Sequence, residues 1–183
     1  LLDVAGGTGD ITNRFKKRGG GPAIVCDINQ QMLINGQKKF SDSIPMKDTI
    51  WICGDAEKLP IDDKSVDVYT IAFGLRNITN IQIALEEAHR VLRPGGRFLC
   101  LEFSDFSIRV LKPLYEAYSF KIIPQIGNVV ANDKGSYKYL VESIRQFPDQ
   151  TQLISRMREA GLEQCKFRNL SGGIAAIHSA WRI

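Results

Sequence analysis

The sequence predicts an α/β fold, in which a mostly parallel, doubly wound sheet has an antiparallel edge. Short, nearly continuous apolar runs alternate with helical segments as far as Phe103, which is typical of parallel strands buried on both faces. A glycine-rich segment follows the first strand, where open α/β sheets bind ligands. Two further apolar runs close the chain and suit an antiparallel pair at the sheet edge.

The elements follow one another in a regular order. The expected strands are residues 1–4, 23–27, 49–53, 66–73, 97–103, 163–170 and 175–182. The expected helices are residues 10–18, 30–40, 80–92, 137–144 and 149–160, with one or two more within the apolar and aromatic residues 109–130. Gly161 suits the end of the last helix, since glycine readily takes the left-handed conformation found there.

Length and composition fit one globular domain. The chain has 183 residues, of which 44% are hydrophobic and 24% charged, and no apolar run approaches the roughly 20 residues of a membrane span. The net charge of +4 is mild, and we expect no nucleic-acid partner. The four cysteines are not arranged in Cys-x-x-Cys pairs, so we expect buried thiols without a metal or disulfides.

The chain begins within a predicted strand at Leu1 and lacks an initiating methionine. We therefore expect a segment to precede Leu1 in the complete protein, and any targeting sequence would lie there.

The glycine loop argues for a ligand without phosphates. Gly7 and Gly9 allow a tight turn and a close approach of the backbone to a ligand. A dinucleotide-binding loop has a third glycine where Thr12 stands, and a carboxylate at Asp10 would repel a pyrophosphate at the helix start. S-adenosylmethionine, which has a cationic amino-acid end, has no such conflict. An ordinary glycine turn is the alternative.

Two more acidic residues follow successive strands. Asp27 can accept hydrogen bonds from both hydroxyls of a ribose. Asp55 can accept one from an adenine amine, with the backbone of Ala56 beside it. Each aspartate alone could be a simple turn or helix cap, but their order along the sheet favours a nucleoside site.

Four segments resemble the C-methyltransferases of ubiquinone and menaquinone biosynthesis. They are residues 2–10 (Leu-Asp-Val-Ala-Gly-Gly-Thr-Gly-Asp), 73–77 (Phe-Gly-Leu-Arg-Asn), 90–104 and 136–148. The resemblance implies a class I S-adenosylmethionine-dependent methyltransferase fold, which is Rossmann-like, over residues 1–183. It also implies a helical insertion at residues 105–148 that covers the acceptor site.

The resemblance implies that Thr8, Asp27, Asp55 and Ala56 contact the cofactor. The full set of predicted cofactor-binding residues is Asp3, Gly7, Thr8, Gly9, Asp27, Ile28, Asp55, Ala56 and Ala72. Bacterial members often carry serine where Ala72 stands, so one side-chain contact is expected to be lost there.

The implied reaction is C-methylation of a polyprenyl benzoquinol ring in ubiquinone biosynthesis. The ring carbon becomes nucleophilic when a neighbouring hydroxyl, with a pKa of about 10, loses its proton. Arg76 stays protonated, so it suits stabilisation of the oxyanion, with Asn77 as a second donor. The base remains unassigned, and a surface arginine capping its loop is the alternative for Arg76.

Two other activities stay open: a demethylmenaquinol methyltransferase, and a cofactor-binding subunit that organises a quinone-biosynthesis complex. A nucleic-acid methyltransferase is disfavoured, because residues 72–76 lack the prolines that base-amine methyltransferases carry there. His89 and His178 have no partner nearby in sequence that would form a catalytic dyad, and we expect structural roles for both.

The resemblance also implies a cellular location and partners for the protein. It places the protein on the matrix side of the mitochondrial inner membrane, as a peripheral protein among other ubiquinone-biosynthesis proteins, with a possible homodimer. In the family the segment before the first strand lies over the active site. Without it we expect this chain to bind cofactor, to be less stable and to methylate poorly.

Overall fold

The computed structural model describes residues 1–104 and 134–183. The helices predicted within residues 109–130, and most of the predicted insertion at residues 105–148, lie outside the described residues.

Seven strands form one sheet in the described part of the chain, in the order β3-β2-β1-β4-β5-β7-β6. They are β1 (Leu2–Val4), β2 (Ala23–Asp27), β3 (Thr49–Cys53), β4 (Val66–Ala72), β5 (Leu92–Phe103), β6 (Glu163–Leu170) and β7 (Ala175–Trp181). The first five strands are parallel, whereas β7 runs antiparallel to both β5 and β6. The predicted doubly wound sheet with an antiparallel edge is confirmed.

Strand order reverses beside β1. The chain leaves β1 toward β2 and β3, and then returns to the other side of β1 as β4 and β5. Successive connections therefore diverge between β1 and β4, which opens a crevice at the carboxyl ends of these strands.

The described residues contain five α-helices. They are α1 (Asp10–Lys17), α2 (Gln30–Lys39), α3 (Ile81–Val91), α4 (Lys134–Gln146) and α5 (Gln150–Glu159). The predicted helices are confirmed to within a few residues at each end. Within these described segments no helix is long and apolar enough to cross a membrane.

Helices α2 and α5 begin after residues whose side chains cap them. The side chain of Asn29 accepts the backbone N–H groups of Gln31 and Met32 at the start of α2. Asp149 forms a capping box with Gln152 at the start of α5. These side chains satisfy N–H groups that have no partner within the helix.

The start of β5 differs from the prediction. The strand begins at Leu92, directly after α3, rather than at Arg97. Leu92 pairs with Val66 of β4, and the backbones of Gly95 and Gly96 pair with Arg182. Proline and glycine are uncommon inside a strand, but these tertiary hydrogen bonds extend β5 through the Pro-Gly-Gly sequence.

One apolar core lies between the sheet and the helices α3 and α5. Leu85, Ala88 and Val91 of α3 are fully buried, as are Leu153 and Met157 of α5. The spacing of these residues matches one face of each helix.

Arg182 joins α3 to the end of β7. Its Nη1 donates to the carbonyl oxygens of His89, Arg90 and Leu92, at 2.6, 2.8 and 2.9 Å. The carbonyls at a helix end have no partner within the helix, and a cation is favoured there by the helix dipole. Arg182 therefore caps the end of α3 and fixes it against the sheet.

We predict that Arg182→Ala lowers the free energy of unfolding by about 1.5–3 kcal/mol, as expected for lost hydrogen bonds to a charged group. Chemical denaturation measures the change, and Arg156→Ala, at an exposed position on α5, is the matched control. Equal stability of the two variants would contradict the capping role.

Candidate cofactor and acceptor site

The glycine loop after β1 is held in a tight turn. Gly7 and Gly9 have φ values of 54° and 78°, in the left-handed region that favours glycine. The N–H of Gly9 donates to the carbonyl of Gly6 at 2.8 Å. A Cβ atom on Gly9 would lie 2.6 Å from the ring of Trp51, so the loop also needs glycine because of close packing.

The ring of Trp51 packs against this loop. A Cβ atom on Gly36 would lie 2.6 Å from the same ring and 2.8 Å from the carbonyl oxygen of Thr8. The Trp51 ring on β3 therefore packs against both α2 and the glycine loop. Sequence reasoning missed this pair, because a tryptophan within a strand and a glycine within a helix carry no joint local pattern.

Asp27 lies at the end of β2, as predicted, and its carboxylate contacts the glycine loop. Oδ2 accepts the N–H of Gly7 at 2.8 Å, and Oδ1 accepts the N–H of Asn29 at 2.8 Å. Each carboxylate oxygen keeps further lone-pair capacity. The residue thus acts as a turn cap and is placed to accept ligand hydroxyls as well.

Asp55 and Ala56 lie in the loop after β3. The carboxylate of Asp55 is exposed, and its Oδ1 accepts the N–H of Glu57 at 2.9 Å. The side chain of Ala56 belongs to the core, so only its backbone is suited to a ligand contact.

The loop after β3 is anchored to α3. The carboxylate of Glu87 accepts the N–H of Leu59 at 2.8 Å, and Arg90 donates to the carbonyls of Leu59 and Ile61 at 3.1 and 2.8 Å. Glu87 and Arg90 also pair with each other at 2.6 Å. These contacts fix the position of Asp55, and sequence reasoning did not identify them.

Apolar groups are exposed beside these carboxylates. Ile28, directly after Asp27, is 72% exposed, and Met32 on α2 is also exposed. A Cβ atom on Gly7 would lie 3.3 Å from the Cε of Met32. An exposed isoleucine directly after Asp27, together with a methionine against the glycine loop, suits a site for a ribose and an apolar ring.

Asp3 lies beneath the site rather than in it. The residue is 1% exposed, and its Oδ2 and Oδ1 accept the hydroxyls of Thr12 at 2.9 Å and Thr70 at 2.8 Å. Burial raises the pKa of this carboxyl, against the effect of the hydroxyl hydrogen bonds. Asp3 therefore ties β1 to α1 and β4, and a direct cofactor contact by its carboxylate stays a prediction.

Asp10 is paired, which weakens one argument from the sequence. Its Oδ1 lies 2.8 Å from the Nζ of Lys39, and its Oδ2 accepts the hydroxyl of Thr8 at 2.7 Å. These hydrogen bonds lower the pKa of Asp10. Because Lys39 offsets the negative charge, Asp10 repels a pyrophosphate less than the sequence alone predicts.

Backbone strain marks the two strands that border the crevice. Ala5 after β1 and Phe73 after β4 have φ values of 50° and 55°, which cost on the order of 1–3 kcal/mol each. A Cβ atom on Gly74 would lie 2.3 Å from the Cβ of Ala5, so the two loops are in close contact. Ala72, at the end of β4, lines a cavity of about 590 Å³ over the sheet.

Arg76 and Asn77 follow β4 in a single 3-10 turn, Leu75–Asn77. The Nη1 of Arg76 lies 2.8 Å from the Oε1 of Glu102 and also contacts the carbonyl oxygen of Phe73. Arg76 is therefore not a free surface arginine, since only 11% of its side chain is exposed.

The buried Glu102 is the counter-ion of Arg76. Burial raises the pKa of its carboxyl, although Arg76 and two backbone N–H groups act in the opposite direction. Sequence reasoning assigned it no role, because it lies 26 residues from Arg76.

The side chain of Asn77 is oriented by α4. The hydroxyl of Tyr139 donates to the Oδ1 of Asn77 at 2.9 Å, and the Nδ2 group of Asn77 donates to the carbonyl oxygen of Phe73 at 3.5 Å. An amide Nδ2 group carries two N–H bonds, so a second donor is left for a ligand. Arg76 and Tyr139 line a cavity of about 330 Å³ whose apolar wall is formed by Ile78, Ile81 and Phe147. A cavity of this size is large enough for a small aromatic ring.

The cysteines and histidines lie elsewhere, with one exception. Cys26, Cys100 and Cys165 are buried, as predicted, whereas Cys53 is exposed, and that expectation is wrong. Cys53 is the last residue of β3, and its Sγ lies 3.6 Å from the carbonyl oxygen of Ile28. Burial raises the pKa of the Cys26 thiol to about 11.

Both histidines lie outside the cluster of site residues. His178 is buried in β7 beside Phe167, and burial lowers its pKa to about 4. His89 lies in the last turn of α3, next to the beginning of β5. The described part of the chain contains no group of three or more His, Cys, Asp or Glu side chains that could hold a metal ion.

Apart from Asp3, the predicted site residues therefore lie at or after the carboxyl ends of the parallel strands. The glycine loop, Asp27 and Asp55 come from the ends of β1, β2 and β3, and Arg76 follows β4. This arrangement offers carboxylates for hydroxyl and amine groups after β2 and β3, and a cation held by Glu102 after β4.

Comparison with known proteins supports this chemistry. The sequence profile of the ubiE/COQ5 methyltransferase family matches residues 1–182. The ubiquinone/menaquinone biosynthesis C-methyltransferase UbiE of Roseobacter denitrificans is 53% identical over 185 residues, which cover 100% of this chain and 74% of the relative. The mitochondrial 2-methoxy-6-polyprenyl-1,4-benzoquinol methylase of Bos taurus is 47% identical, with 100% and 66% covered.

A solved structure shares the fold at low sequence identity. An S-adenosylmethionine-dependent methyltransferase of Thermotoga maritima, described as a possible histamine N-methyltransferase, superposes with a TM-score of 0.70 at 19% identity. The match covers 100% of this chain and 81% of that one, so the class I methyltransferase fold predicted from the sequence is confirmed. Profile and relatives together show that the chain belongs to the ubiE/COQ5 methyltransferase family.

Proposed function

We propose that the protein binds S-adenosylmethionine and methylates a ring carbon of a polyprenyl benzoquinol in ubiquinone biosynthesis. The observation that carries the proposal is the fixed guanidinium of Arg76, 2.8 Å from Glu102, at the same sheet edge as Asp27 and Asp55. The names of the relatives supply the substrate class. They also cover menaquinone biosynthesis, so a demethylmenaquinol is the second candidate acceptor.

The residues at the ends of β1, β2 and β3 fit this cofactor. The carboxylate of Asp27 would accept the ribose hydroxyls, and Asp55 with the backbone of Ala56 would bind the adenine edge. Ile28 and Met32, both exposed, would cover the adenine ring. The glycine loop from Gly7 to Gly9, with Thr8, would approach the amino-acid portion. When bound, the cofactor supplies a methyl group on a sulfonium centre.

Arg76 and Asn77 would act on the acceptor. The ring carbon becomes nucleophilic as its neighbouring hydroxyl loses a proton, and the negative charge on that oxygen needs stabilisation. A guanidinium already held in place stabilises this charge without reorganising during the reaction. The Nδ2 group of Asn77 would add a second hydrogen bond. The cavity beside Arg76 and Tyr139 would accommodate the ring.

The bovine relative is named as mitochondrial, and this supports our inference that the protein works in mitochondria. We further propose the matrix side of the inner membrane, as the family resemblance implies. A polyprenyl substrate would also bring the protein to a membrane surface, among other ubiquinone-biosynthesis proteins.

We predict that the protein fractionates with mitochondrial inner membranes and is released from them by alkaline carbonate. Recovery of the protein in the cytosol would contradict this location.

We predict that Asp27→Ala weakens S-adenosylmethionine binding by about 30- to 700-fold. Two lost charge-assisted hydrogen bonds cost on the order of 2–4 kcal/mol. Titration calorimetry measures the affinity, and thermal unfolding checks the glycine turn that Asp27 also holds. Asp42→Ala, at an exposed position after α2, is the control. Unchanged affinity in folded Asp27→Ala protein would remove Asp27 from the site.

We predict that Arg76→Ala lowers kcat with a soluble, short-tailed quinol by about 100- to 1,000-fold, while the affinity for S-adenosylmethionine stays the same. Loss of one oxyanion donor has this magnitude, and an interaction made in the transition state affects kcat rather than ground-state binding. Single-turnover methylation and calorimetry separate the two quantities. Loss of cofactor binding with normal turnover at saturation would contradict the oxyanion role.

A further inference from the structure

The carboxylate of Glu102 is fully enclosed near the end of β5. The residue is 0% exposed. Its Oε1 accepts the Nη1 of Arg76 at 2.8 Å and the backbone N–H of Phe103 at 2.9 Å, and its Oε2 accepts the backbone N–H of Arg76 at 3.3 Å. Two of these three donors belong to Arg76, so the carboxylate holds both the backbone and the side chain of that residue.

Phe103, the residue after Glu102, also contacts the guanidinium of Arg76. The Cζ of Arg76 lies 5.2 Å from the ring centre of Phe103, within the range of a cation–π interaction. The ring of Phe103 lies 4.7 Å from that of Phe73. Glu102 and Phe103 together therefore fix the turn after β4 to the end of β5.

Stability alone does not explain this pair. Burying an ion pair costs desolvation free energy, which the attraction between the two charges offsets only in good geometry. A protein in which apolar residues of similar size replace such a pair is often equally stable. Among the described residues, the buried Nε of Arg76 also lacks a hydrogen-bond partner. An arrangement that is costly and still leaves a donor unpaired suits a group held for chemistry rather than for folding.

We propose that Glu102 is a positioning residue of the acceptor site, whose buried carboxylate fixes the guanidinium of Arg76 before substrate binds. The inference rests on the proposed function, because Arg76 acts on the acceptor there. An unrestrained arginine would lose side-chain conformational entropy when it is ordered against the substrate. Because Glu102 orders Arg76 when the protein folds, this entropy loss no longer opposes the reaction.

The test begins with Glu102→Gln, which keeps the size of the side chain but removes its charge and places an amide N–H₂ group against an N–H donor. We expect kcat to fall by up to about 100-fold, as for a small displacement of a catalytic group, with unchanged S-adenosylmethionine affinity. Glu102→Asp keeps the charge on a shorter side chain and should lose less. Thermal unfolding confirms that each variant is folded.

Asp67→Asn is the matched control. Asp67 pairs with Arg93 at 3.0 Å and joins the same two strands, β4 and β5, near their opposite ends. Its loss should leave kcat unchanged. A fall in kcat equal to that of Glu102→Gln would show that any broken ion pair between these strands has the effect, which overturns the proposal.

A double-mutant cycle separates positioning from a general structural effect. In an Arg76→Ala background, Glu102→Gln should cause no further fall in kcat, because the group that it positions is absent. Equal falls in both backgrounds would overturn the proposal.

A second readout needs no activity. The buried Nε–H of Arg76 should exchange slowly with solvent by NMR, and faster by tenfold or more in Glu102→Gln. Unchanged exchange would overturn the proposal even if turnover falls. Failure of the wild-type protein to methylate any quinol would instead contradict the proposed function, and the exchange rates would still decide whether Glu102 fixes Arg76.

Discussion

The reversal of strand order between β1 and β4 is the constraint on which the rest of the site depends. Chain segments that leave β1 and β4 diverge, and parallel strands end at the same sheet edge. Residues as far apart in sequence as Gly7 and Arg76 can therefore border one crevice. Asp3 lies on β1, and its buried carboxylate accepts hydrogen bonds from the hydroxyls of Thr12 on α1 and Thr70 on β4. It therefore holds these three elements together at the junction.

Close packing then fixes the loops around the crevice. The ring of Trp51 fills the space that side chains on Gly9 and Gly36 would need, and Gly74 packs against Ala5. The positive φ values of Ala5 and Phe73 are tolerated because these contacts leave the loops little freedom. A site built in this way is largely preformed, which is what electrostatic stabilisation of a transition state requires.

Local patterns in the sequence were sufficient for the elements and for the cofactor side of the site. Apolar runs, glycine positions and carboxylates at strand ends depend on neighbouring residues, so the positions of Gly7, Asp27 and Asp55 at one sheet edge were predictable. The packing of Trp51 on Gly36, the pairing of Glu102 with Arg76, and the exposure of Cys53 depend on residues distant in sequence. The ion pair of Lys39 with Asp10, which weakens the argument drawn from Asp10, belongs to the same group.

The proposed reaction transfers a methyl group to a ring carbon of the quinol, next to the oxygen whose charge Arg76 would stabilise. S-adenosylmethionine labelled with ¹³C in its methyl group, a short-tailed benzoquinol, and NMR of the isolated product show where the methyl group goes. We expect the labelled methyl group to be bonded to a ring carbon, adjacent to a ring hydroxyl. A label bonded to oxygen, or no labelled product from folded protein that binds the cofactor, would contradict the proposed reaction.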